Sequence, residues 1–186
     1  MSDRVLTREG NAGTPRDIIN PLAVPANPYG LYLQPAFAGM KGDSMDDNVD
    51  TFACGAGLLI GFGLVVGRTA PALLTVQAGG PTPVGISLHD HIIGSRNSYV
   101  QYDAVSVMNR GKVWCQVADP TNILDGVYVQ YEATTGKVQA GTGAGFNALP
   151  KAIFRSSAIA VYDITYTTTT NIALVELHYG LSVVGS

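Results

Sequence analysis

The sequence predicts an all-β fold: a small antiparallel β-barrel or sandwich with an extended Pro-rich N-terminal arm. Three observations carry that expectation. Glycine occurs 22 times in 186 residues, a density that suits turns and bulges better than helix interiors. No window of about 11 residues shows an apolar stripe at helical spacing. Short alternating runs instead follow one another closely, separated by Gly-containing turns, as in sandwiches and barrels.

The arm comes first, over residues 1–38. Pro15, Pro21, Pro25, Pro28 and Pro35 forbid a long helix and would interrupt any central strand. Between them stand Ile18, Ile19, Leu22, Val24, Tyr29, Leu31, Tyr32 and Leu33, too apolar a set for a flexible linker. The segment is therefore expected to lie extended on its own barrel or on a neighbour. A disordered tail is the alternative, chiefly for residues 1–15. The barrel domain is expected to span residues 39–186.

Within that domain the uncharged stretch from Thr51 to Gly67 is bounded by Asp50 and Arg68. It is shorter than the ~20 residues of a spanning helix. Its glycines at 55, 57, 61, 63 and 67 read as turns and bulges between strands. Ala104–Met108 and Lys112–Val117 flank Asn109-Arg110-Gly111, which reads as a hairpin with a three-residue turn. In its second strand Val113, Cys115 and Val117 share one face, opposite Lys112, Trp114 and Gln116. Cys115 is thus expected to be buried, and Trp114 to need a partner or a second packing layer. Another hairpin is expected from Val127–Tyr131 through Thr134-Thr135-Gly136 to Lys137–Gln139. A last strand runs from Ile172 to His178, with Ala173, Val175 and Leu177 alternating against Glu176 and His178.

Composition narrows the functional classes. Charged residues make up 13% of the chain, against about 25% in an ordinary soluble domain. Acids number 14 and bases 11, for a net charge of −3. A nucleic-acid binder held by phosphate contacts would need a basic face. A disordered chain would not be 46% hydrophobic. So few charges leave little to keep the domain apart from copies of itself or from a partner surface. Met1-Ser2-Asp3-Arg4 is not followed by an apolar core, so no secretory signal is expected. Cys54 and Cys115 lack metal-type spacing and read as buried free thiols of a reducing cytoplasm.

No reactive constellation assembles from the chemistry-bearing residues. His89-Asp90-His91 places two imidazoles on one face of a strand, but zinc or iron would need a third ligand. His178 or Asp103 could serve, yet no spacing requires either, and a polar strand end after Val84–Leu88 is the simpler reading. Gly141-Thr142-Gly143-Ala144-Gly145 resembles a phosphate loop only in its first part. Phe146 stands where the dinucleotide fingerprint needs glycine. Asp43, Asp46, Asp47 and Asp50 lack the closing Glu of a calcium loop and read as a solvated loop. The serines have no nucleophile-elbow context, and no Cys/His pair is implied. A structural or binding protein without catalytic residues or cofactor is expected.

Taken in order, the motifs resemble one family. They are Gly61-Phe62-Gly63-Leu64-Val65-Val66, Val84-Gly85-Ile86, and Tyr102 through Trp114. Gly126-Val127-Tyr128 with Thr134-Thr135-Gly136, Pro150 through Ala158, and the closing strand through Val175-Glu176-Leu177 follow. This set, over about residues 36–178, resembles the structural cement or decoration proteins of tailed-phage heads. The Pro-rich arm and the Thr165–Asn171 stretch go beyond the core pattern. The resemblance implies a β-barrel virion protein on the outer surface of the capsid, assembled in the host cytoplasm. It implies no enzyme, and a role in clamping neighbouring major capsid subunits. Its partners would be the major capsid protein and copies of itself, as a trimer or alternatively a dimer, with no nucleic acid and no membrane. Contacts are expected at Pro21, Pro25, Pro28, Tyr29, Tyr32 and Trp114. A tail or baseplate component is the alternative, and a small metal-binding barrel using His89, His91 and His178 a further one.

Overall fold

A computed structural model describes residues 35–43, 47–70, 73–91, 96–141, 144–163 and 168–178. Most of the expected arm lies outside these residues. All regular elements among the described residues are strands. They are β1 (Asn48–Cys54), β2 (Ile60–Gly61), β3 (Val65–Arg68), β4 (Thr75–Ala78), β5 (Pro83–Ser87) and β6 (Ser98–Tyr99). Then follow β7 (Ala104–Gln116), β8 (Tyr128–Glu132), β9 (Val138–Ala140), β10 (Phe146–Phe154), β11 (Ile159–Asp163) and β12 (Thr168–Leu177). The stretch from Thr51 to Gly67 forms the end of β1, then β2 and β3, and no helix of the described residues is long and apolar enough to cross a membrane.

Five strands close into a barrel in the order β1-β4-β3-β5-β7, with β7 returning to β1. β1 and β4 pair parallel, while β3–β4, β3–β5, β5–β7 and β1–β7 are antiparallel. Closure leaves these strands no free edge. A second wall continues from β7 through β12, β10, β8 and β9, with β11 alongside β12. Two cores result. Cys54, Ile60, Phe62, Val66, Val76, Val84, Tyr99, Val105 and Val107 form one cluster. The other runs from Val65, Ile86 and Met108 to Cys115, Tyr131, Phe154 and Val175. Adjacent Val65 and Val66 thus serve different cores, as strand alternation requires.

The expected hairpin at Asn109-Arg110-Gly111 is not formed. β7 is a single strand of 13 residues. Its first half pairs with β1 and β5, and its second half with β12. The three residues form a bulge instead. The β1 register steps from Val49↔Met108 to Asn48↔Arg110, skipping Asn109, and Gly111 adopts φ 116°. One inserted residue reverses the side-chain parity. Met108 and Val113 consequently face the same core although they are five positions apart in the sequence. The bulge lets one strand serve both the barrel and the second wall.

The second hairpin and the expected buried strand faces are present. β8 and β9 form the expected hairpin, with Tyr131 opposite Val138. Val113, Cys115 and Val117 are buried, and Trp114 on the opposite face is half-buried. β12 begins earlier than read, and Ala173, Val175 and Leu177 point into the core as expected. Trp114 finds its second layer against Ala36, Ala38, Met40, Ile159, Val161 and Ile172. Residues 39–42 run antiparallel beside β7. Gly39 N donates to Trp114 O at 2.8 Å, and Trp114 N to Met40 O at 2.9 Å.

Candidate interaction surface

The histidines do not assemble a metal centre. The His89 ring is wedged between Phe37 and Phe62, with centroids 4.9 and 4.6 Å away, and meets His91 at 4.7 Å. Its backbone N–H donates to Gly39 O at 3.0 Å, while Nδ1 has no hydrogen-bond partner. Burial, reinforced by neighbouring His91 and opposed by Asp90, holds its pKa below the ordinary 6.5. His178 lies beside Glu176 at 3.8 Å. Asp103 pairs with Arg96 at 3.4 Å and accepts from Val100 N at 2.8 Å. Among the described residues no three His, Cys, Asp or Glu side chains converge to hold a metal ion. The reading of His89, His91 and His178 as joint ligands is thereby corrected: His89 is an aromatic-packed side chain, and His178 follows the end of β12 next to a carboxylate.

The acidic stretch is bound up with its surroundings. Asp47 pairs with Lys41, Asp43 with Lys112 at 2.9 Å, and Asp50 accepts from Asn109. Asp46 lies outside the described residues. Gly141 and Gly145 turn the chain into β10 with positive φ, and the residues between them are described only in part. Both cysteines are free and buried. Pro21, Pro25, Pro28, Tyr29 and Tyr32 lie outside the described residues, and Trp114 sits in the packed layer beside residues 36–40.

What the structure adds is a set of large apolar side chains held in the open. Leu59 is 66% exposed, Leu73 50%, Leu74 70% and Tyr102 81%. They belong to three loops that meet at the C-terminal end of β1. Register explains the meeting, because Ala53 stands between Thr75 of β4 and Ala104 of β7. The residues preceding β4 and β7 and those following β1 must therefore be neighbours. Backbone hydrogen bonds tie them down. Ala53 N donates to Leu74 O at 3.0 Å, Cys54 N to Asp103 O at 2.9 Å, and Tyr102 N to Cys54 O at 3.3 Å. Gly57 N donates to Gln101 Oε1 at 3.0 Å.

Tyr102 adopts φ 71°, a conformation that disfavours residues with a side chain by about 1–2 kcal/mol. The surrounding hydrogen bonds keep it there with its ring in solvent. A second exposed pair, Leu124 at 63% and Tyr128 at 76%, lies on the connection into β8, where Val127 N donates to Leu124 O. Single exposed apolar residues are ordinary, but clusters of them mark interaction sites. The leucine doublets Leu58-Leu59 and Leu73-Leu74, set in Gly- and Pro-containing turns, are the sequence signal that could have pointed here.

Residues 24–178 match the family described as structural cement protein (E217 gp24/Pam3 gp6). Among solved structures the chain is similar to one titled "The capsid of Myoviridae Phage XM1". The TM-score is 0.63 at 20% identity, covering 82% of this chain and 96% of that one. No curated protein matches.

Proposed function

Because the chain belongs to the structural cement protein family and is thus a structural protein of a phage virion, we propose that it binds the outer surface of a tailed-phage head and clamps neighbouring major capsid subunits. The match over residues 24–178 carries this reading. A barrel with a continuous second wall supports it, since a clamp must be stiff between its contacts. Exposed apolar side chains on separate elements support it as well: Leu59, Leu73, Leu74 and Tyr102 around the end of β1, and Leu124 with Tyr128 at the start of β8. Two modest contacts on one rigid body gain by avidity when each meets a different subunit. On this reading the protein acts without catalysis and without nucleic-acid or membrane contact. It assembles in the host cytoplasm as a trimer, with a dimer as the alternative.

The arm extends the reading. Residues 16–35, which precede the point where Ala36 packs on Val161 and Ile172, serve as a strap laid along a neighbour. Pro21, Pro25, Pro28, Tyr29 and Tyr32 make its contacts, and Trp114 lies under its root. Prolines restrict the free segment and so reduce the entropy lost on docking. The test adds purified protein to heads that lack it. Saturable binding at a fixed ratio to the major capsid protein, with heads surviving to a higher temperature, is expected. Sedimentation with tails rather than heads would replace this reading with that of a tail component.

A further inference from the structure

We infer that the loop cluster at the C-terminal end of β1 is the face that docks on the capsid, and that its partner there is an apolar, uncharged protein surface. The inference rests on the cement reading and names the contact that reading requires. Leu59, Leu73, Leu74 and Tyr102 are all at least half exposed and stand on three loops fastened to the consecutive residues Ala53 and Cys54. The loops at residues 55–59 and 69–74 contain no ionisable side chain. The nearest acid, Asp103, is engaged by Arg96 and by Val100 N. Apart from the Asp103–Arg96 pair, whose charges offset each other, such a face has no charge with which to attract a charged partner. It is complementary to a surface of the same kind.

The size of the patch identifies the occupant. Four apolar side chains amount to a patch of a few hundred Å², well short of the about 800 Å² per partner in a stable free pair. A patch too small to hold a second copy in solution suits one contact of a repeated lattice, where further contacts on the same body add avidity. Leu74, Tyr102 and Asp103 are also tied to Ala53 and Cys54 by backbone hydrogen bonds before binding, so little ordering is lost at these residues on contact. The capsid, not a second copy, is therefore the occupant.

The experiment compares wild type with Leu73→Ser/Leu74→Ser/Tyr102→Asn, and with the single Leu74→Ser, for binding to heads that lack the protein. Asparagine tolerates the backbone conformation at position 102. Thermal melting establishes that each variant is folded, and the single variant serves if the triple one is not. Wild-type binding is expected to hold nearly constant as NaCl is raised from about 50 to about 500 mM, because no ion pair is screened. The single variant should bind about tenfold more weakly and the triple variant at least a hundredfold, each covered leucine contributing near the lower end of the usual range. Wild-type binding that collapses with salt, or variants that bind as wild type does, would overturn the inference and leave the cement reading standing. So would variants that only lower the mass of the free protein in light scattering, because the occupant would then be a second copy. Failure of wild type to bind heads at all would remove the cement reading itself.

Discussion

Val65 and Gly136 stand in different walls of the molecule and are joined backbone to backbone: Val65 N donates to Gly136 O at 2.8 Å. Val65 O in turn accepts from Gly79 N at 2.7 Å, and Tyr131 Oη donates to Gly80 O at 2.8 Å. The β8–β9 turn is thus fastened onto β3 and the end of β4, which makes barrel and second wall one body. Gly136 has φ 75°, and a Cβ there would stand 2.3 Å from Val65 O. Gly136→Ala is expected to destabilise by at least about 2 kcal/mol, through the left-handed conformation and the forced separation together. Gly126→Ala, also at positive φ but with nothing within 4 Å, should cost only about 1 kcal/mol. Urea midpoints of the two variants measure the difference, and equal midpoints would show that the turn is not fastened.

Both thiols should be silent in the native protein. Burial pushes the Cys115 thiol far above its ordinary value, and burial with the nearby Asp103 charge raises that of Cys54. A raised pKa and no access both suppress thiolate attack. Titration with a thiol reagent should find no fast-reacting group without denaturant and two with it. Fast native labelling of Cys115 would mean that its strand face is reversed.

Acid should loosen the contact between residues 37–39 and the barrel. Neutral His89 fits between Phe37 and Phe62, and Gly39 O accepts from its backbone N–H. Its folded pKa is lowered by burial and by His91, against the opposing pull of Asp90. The unfolded chain therefore takes up the proton first as pH falls. This contribution to stability is whole above the ordinary value of 6.5 and is lost as pH drops through the folded value below it. Melting temperature should decline below that pH in wild type and less steeply in His89→Phe. Parallel profiles would assign the decline to other groups.

Removal of residues 1–35 should leave a folded protein with a weaker hold on heads. Ala36 and residues 39–42, which pack on Val161 and Ile172 and run beside β7, are retained. The loss expected is several kcal/mol, at roughly 1.5–3 kcal/mol for each apolar side chain covered, before ordering costs. Trp114, the only tryptophan of the chain, reports whether the root of the arm stays docked, because its emission should be unchanged. Equal head occupancy and equal heat protection for the two proteins would show that there is no strap. A truncated protein that does not fold would assign the arm to the protein's own core.

Local pattern was enough for the strand class, for the β8–β9 hairpin, and for the buried face of Val113, Cys115 and Val117. Alternation and turn chemistry act over a few residues, so the chain states them directly. It was not enough at Asn109-Arg110-Gly111, because turns and bulges draw on the same conformationally tolerant residues. Which of the two forms depends on partners remote in sequence. β1 and β5 hold the first half of β7 and β12 the second, so Lys112–Gln116 has no need to fold back on its neighbour. The exposed leucines and Tyr102 were hidden for the same reason. Hydrophobicity alone reads Leu73 and Leu74 as core. Only closure of the barrel, which brings Thr75 and Ala104 to either side of Ala53, sets their loops around one strand end and leaves their side chains in water.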